Sequence, residues 1–246
     1  MSNDYALPDQ ALLKVSGAIS NFRCTRSTAS FVLTQRDRTG MGIVAAANGL
    51  AGLSGAAIAT ASFAGDTEED ADFLEFDIQG HPPVRGWVWR SPFRDGDVVE
   101  VVAERRTEHL ELVAMTRPQD RIIALYPHCS RGRIRHQWIA AKWWLIITFA
   151  FNALLAALLL AISSSAPERR EELIQPYTCL ALGSAAFFGL MVHSLSAKWM
   201  PFVETAQRVF AALGWPNPTR IDLSATTRAQ RSSTDPGELG TFYFRY

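Results

Sequence analysis

The stretch Pro127-His128-Cys129-Ser130-Arg131-Gly132-Arg133-Ile134-Arg135-His136 holds the residues best suited to chemistry. A histidine beside a cysteine is the raw material of a thiolate nucleophile or of half a zinc site. Neither is completed. Zinc needs about four ligands, and no second His or Cys stands at ligand spacing. No carboxylate lies at a telling spacing from His128 in the sequence. The three cysteines, Cys24, Cys129 and Cys179, are scattered. That pattern makes neither a disulfide framework nor a metal site, and it fits a reducing compartment. His81 and His109 flank a turn and a strand start. The acidic run Asp66, Glu68, Glu69, Asp70 and Asp72 reads as a solvated loop. P-loop, GxSxG and HExxH motifs are missing. The expectation is a protein that is not an enzyme, with no catalytic residue, no metal and no cofactor.

A second set of polar residues is informative because of its surroundings. Asn152, Ser184 and His193 lie within two uncharged apolar runs, Trp143 to Ile162 and Pro176 to Ala197. Each run has the roughly 20 residues that cross a hydrocarbon core at 1.5 Å rise per residue. A membrane helical hairpin over 143–197 is therefore expected, with the lipid bilayer as its first partner. Asn152 falls near mid-depth, where an unpaired amide is costly. It is expected to bond Ser184, a backbone carbonyl or another copy of the chain in a homo-oligomer.

The flanks orient the hairpin. Arg131, Arg133, Arg135 and Lys142 precede it without an acid among them, and Lys198 and Arg208 follow it. Lys and Arg favour the cytoplasmic side, so two spans with both termini cytoplasmic are expected. Trp138, Trp143, Trp144 and Trp199 lie near the span ends, where aromatic rings anchor at headgroup level. Residues 131–142 form a basic juxtamembrane connector whose arginines would meet anionic headgroups.

The elements ahead of the connector read as strands. Residues 15–35 are rich in Val, Ile, Thr and Phe. In 72–80 Leu74, Phe76 and Ile78 alternate with Phe73, Glu75 and Asp77. VRGWVWR, VVEVVAER, HLELVAM and RIIALY follow, split by Gly, Pro and Asp turns. Short strands at about ten-residue spacing predict a small antiparallel β-barrel, OB-like or SH3-like. Residues 39–65 interrupt it with six glycines and no charge. They are expected as a helix or loop inserted between strands. An interfacial membrane segment remains the alternative.

Beyond the hairpin, Phe202, Val203, Ala206, Val209, Phe210 and Leu213 recur at helical spacing until Gly214 and Pro216. This amphipathic helix would lie on the inner leaflet or pack on the barrel. Residues 224–238 read as a mobile polar tail, and the final TFYFRY as a strand for a barrel or partner edge. The predicted class is an α+β membrane protein. Its parts are a cytoplasmic β-rich domain at 1–130 carrying the 39–65 insertion, the connector at 131–142, the hairpin at 143–197, and the amphipathic helix and tail at 198–246. Lys and Arg balance Asp and Glu at 24 each. No basic excess points to nucleic acid as a partner. The N-terminus shows no basic-then-apolar pattern of a signal peptide.

The phrases GWVWRSPFRDGD and ALYPHCSRG, in their order between the first strand and a Trp-led span, resemble a family of bacterial type VI secretion system effectors. The resemblance covers about residues 15–200. It implies a bacterial inner-membrane protein linked to contact-dependent antagonism. Type VI secretion components, or a cognate effector or immunity protein, would then be partners. It supplies no catalytic residues. The expected function is a membrane-targeting effector. The alternative is a non-toxic immunity or accessory protein that presents its cytoplasmic barrel for binding.

Overall fold

The computed structural model describes residues 11–29, 31, 69–163 and 170–246. The expectations for 39–65 and for 164–169 of the loop between the apolar runs lie outside the described residues; Arg170 to Gln175, expected in that loop, are helical.

Strands β1 (Leu12–Ala29), β2 (Glu69–Ile78), β3 (Val84–Val88), β4 (Val98–Arg105) and β5 (Leu110–Arg117) close into a five-stranded barrel. One long β1 serves both sides. Leu12 to Ala18 pair with β4, and Ile19 to Ala29 pair with β2. The change of partner falls at a register shift between Ser20 and Arg23. Asn21 sits there at φ 55°, and its amide donates to Asp77 Oδ2 at 2.8 Å. A bulge of this kind adds twist and turns one strand through a barrel corner. Asn21 thus marks a corner within a single strand.

A parallel pair closes the barrel, Val84 opposite Leu110 and Arg85 opposite Glu111. Gly86 permits that approach, since a Cβ there would stand 2.7 Å from the Leu112 carbonyl oxygen. Two further strands, β6 (Ile122–Leu125) and β7 (Phe244–Arg245), continue the sheet beyond β5. TFYFRY therefore completes an edge of its own chain.

Two apolar clusters explain the strand patterns. Val15, Leu74, Phe76, Ile78, Val99, Val101 and Leu112 fill the barrel. Trp87, Val102, Val113, Ile123 and Leu125 face outward but are covered as well. Strands buried on both faces lose alternation, and so VVEVVAER reads as a nearly continuous apolar run. Val98 is the exception to the filled pleat expected there, at 66% exposed.

The cover is helical. Helix α1 (Arg133–Ser163) and helix α2 (Arg170–Ala212) follow the barrel. The amphipathic helix expected as a separate element after residue 198 is the last third of α2. Pro201 lacks the N–H that would bond the carbonyl four residues earlier, yet it does not end the helix. Phe202, Val203, Ala206, Val209, Phe210 and Leu213 are all buried, and Phe202 and Phe210 pack with the outer barrel cluster. Burying each large side chain is worth about 1.5–3 kcal/mol before ordering costs. Packing on the barrel, not on a leaflet, is where this face goes.

The tail is structured too. Asp222 caps α3 (Leu223–Gln230), accepting from the Ala225 N–H at 3.1 Å. Thr227 is buried and donates to the Leu223 carbonyl at 2.7 Å. Gly132 N donates to Ile221 O at 2.9 Å and Leu223 N to Ser130 O at 3.1 Å. A Cβ at Gly132 would collide with the backbone of Pro218 and Thr219. This clamp sets the start of α1 against the tail.

Candidate functional site

Helices α1 and α2 are long and apolar enough to cross a membrane. In the most apolar window of α1 no residue is buried, and in that of α2 only 6% are. Phe149, Leu154, Leu182 and Leu190 are each about 70% exposed or more. An apolar surface of this extent has to be covered by something other than water.

The seam between the helices carries polar rungs. Asn152 Nδ2 donates to Ser184 Oγ at 3.0 Å and to the Thr148 carbonyl at 2.8 Å. Tyr177 donates to the Asn152 carbonyl at 3.3 Å. Higher up, Trp144 Nε1 donates to the Ala185 carbonyl at 3.0 Å, beside Gly189. At the top, His136 Nε2 lies 2.9 Å from Ser196 Oγ. Eight residues separate His136 from Trp144 and Trp144 from Asn152, about 2.2 turns, so each step moves about 80° around α1 and no single stripe carries all three. No spacing singled out His136, which the sequence reading left aside. Phe151 and Phe188 add an edge-to-face contact at 5.3 Å. His193 is exposed and borders the groove at Trp144 and Ser196, away from the Asn152–Ser184 pair.

The residues expected at headgroup level divide into groups. Trp138 and Trp143 are 70% and 55% exposed, and Arg133 and Lys142 are exposed. Trp144 instead turns into the seam. Trp199 is half-buried, with its ring centroid 4.9 Å from that of His128 and 5.9 Å from that of Phe202. Arg131 and Arg135 converge on Asp222, with Nε contacts of 3.4 Å and 2.8 Å. Burial pushes the Asp222 carboxyl up. The Arg135 bond, the Ala225 N–H and the two guanidinium charges outweigh it and hold the group below its ordinary range.

His128 and Cys129 serve packing. His128 adopts φ 66° and stacks among Trp89, Trp199 and Phe202 at 4.8–5.4 Å. Its Nε2 lies 2.8 Å from Glu69 Oε2, at ion-pair distance but off hydrogen-bond direction. Cys129 is buried, and burial pushes its thiol far above the ordinary range. A thiol that does not ionise is a poor nucleophile. Among the described residues, no three His, Cys, Asp or Glu side chains gather to hold a metal ion.

The described residues present apolar helix faces, exposed tryptophans and, beside them, a set of cationic side chains. Comparison of the chain with family models, curated proteins and solved structures finds no match.

Proposed function

We propose that this chain is a two-span inner-membrane protein with both termini in the cytoplasm, holding an OB-like barrel against the membrane surface as a binding module. One observation carries the reading. Helix α2 runs without a break from an apolar, uncovered stretch into the outer cluster of the barrel. The barrel is then fixed to the anchor by a continuous helix and not by a tether. The strand order β1-β2-β3-β5-β4, closed by a parallel β3–β5 pair, favours the OB-like alternative over the SH3-like one.

Between the two roles left open by the type VI resemblance, the hairpin favours the immunity or accessory role. Asn152 and Ser184 spend their polarity on each other and on backbone within one chain. The outward faces are Leu and Phe, which suit lipid and line no water path. A membrane-permeabilising effector would need a polar face to turn toward other copies. Induced expression tests this. The anchored binder should be harmless to the producing cell. Growth arrest that disappears when residues 143–197 are replaced by an inert two-span hairpin would return the effector role.

A further inference from the structure

A cleft of about 540 Å³ opens where α1, the start of α3 and the connector meet. Its walls change in character along one face of α1. Arg135, Trp138, Ile139, Lys142 and Ile146 follow at spacings of three and four, so they share that face. Arg131 and Arg228 join the upper end, beside Asp222. The lower end is Trp143, Leu145 and Ile146, at the start of the apolar run.

Four cations meet one carboxylate here. Asp222 engages only the Nε atoms of Arg131 and Arg135. It fixes both guanidinium groups in place, and among the described residues their terminal amino groups make no hydrogen bond. Arginine binds phosphate oxygens through such paired N–H groups, with a planar fork that matches their geometry. Lys142 can extend its stem along the apolar wall and keep its ammonium at the polar end.

We propose that this cleft binds an anionic phospholipid, the phosphate among Arg131, Arg135 and Arg228 and the first part of an acyl chain along Trp143 and Ile146. The inference rests on the membrane reading above. The shared chemistry at the upper end is a phosphate, which a free anion could also supply. The apolar lower end selects the lipid, because inorganic phosphate makes no use of it. About 16 Å of helix separates Arg135 from Ile146 at 1.5 Å per residue, which spans a headgroup and its chain attachment.

The test uses the full chain in phosphatidylcholine nanodiscs containing a minor fraction of phosphatidylglycerol, with retained lipid read by native mass spectrometry. The wild-type protein should retain phosphatidylglycerol in preference to phosphatidylcholine. Lys142→Gln with Arg228→Gln removes two cations that make no described ion pair, and should lower that retention about tenfold. Arg85→Gln with Arg94→Gln, exposed on the barrel away from the cleft, should leave it unchanged. Equal loss in both double variants, or loss in neither, overturns the site. Displacement of the lipid by millimolar inorganic phosphate makes it a free-phosphate site and overturns the lipid assignment. Carbonate extraction of the same proteins separates the two levels. A wild-type protein that extracts overturns the membrane reading and the site together. An inserted protein with no lipid preference overturns the site alone.

Discussion

Phe210→Ala should destabilise the barrel even though Phe210 lies in α2, far along the chain from Arg117, where the last barrel strand ends. Its side chain is fully buried, packs in the outer cluster with Val102, Ile123 and Leu125, and stacks on Trp215 with ring centroids 5.5 Å apart. Truncating a buried phenylalanine to alanine removes apolar burial and leaves a cavity, at a cost of about 3–5 kcal/mol. For a chain of this size each kcal/mol moves the melting temperature by about 2–4 °C. The expected fall is therefore about 6–20 °C in the full-length protein in detergent, followed by tryptophan fluorescence. Leu190→Ala makes a similar truncation at a side chain 72% exposed, and should move the transition far less. The argument fails if Phe210→Ala shifts the barrel transition no more than Leu190→Ala does. That result would mean that the amphipathic end of α2 lies on a leaflet and leaves the barrel uncovered.

Three other outcomes follow from the same geometry. Asn152→Leu removes the contact with Ser184; such bonds average about 0.6 kcal/mol in membranes, so carbonate resistance should persist with only a small loss in thermal stability. Asp222 is held below its ordinary range, so its contribution is present above about pH 4 and is lost as pH falls through the folded value. Asp222→Asn keeps a good helix cap while removing the charge, so its melting temperature should fall less than that of the wild type between about pH 6 and pH 3; parallel curves would contradict this. Gly86→Val places a side chain against the Leu112 backbone and should open the barrel, read as loss of β-structure by circular dichroism.

Some of this molecule is written locally in its sequence. Leu74, Phe76 and Ile78 alternate with half-exposed partners because β2 has one face in the barrel. The helical spacing of Phe202 to Leu213 marks a buried stripe without saying what buries it. Asn152 was legible as a residue needing a partner, and Ser184 lies about one turn from the matching depth, near Phe187, in an antiparallel hairpin. Other features depend on contacts that no local pattern records. The parallel pairing of Val84 with Leu110 joins strands that are not neighbours in sequence, and only Gly86 hints at it. Arg131 and Arg135 looked free to face headgroups because Asp222 lies about 90 residues away. The polar composition of 224–238 concealed α3, which is held by its Asp222 cap and by the buried Thr227. The lone signal for it was an Asp directly before a Leu-Ser-Ala start.

Cysteine accessibility in spheroplasts tests the two-span arrangement most directly. With the exposed Cys24 and Cys179 changed to serine, single cysteines are placed at Val98 on the barrel and at Glu171 at the start of α2. Both positions are exposed, so an unreacted thiol reports a membrane barrier. A membrane-impermeant maleimide should label Glu171→Cys in intact spheroplasts and reach Val98→Cys only after lysis. Labelling of Val98→Cys before lysis, or of neither position until lysis, would contradict the account.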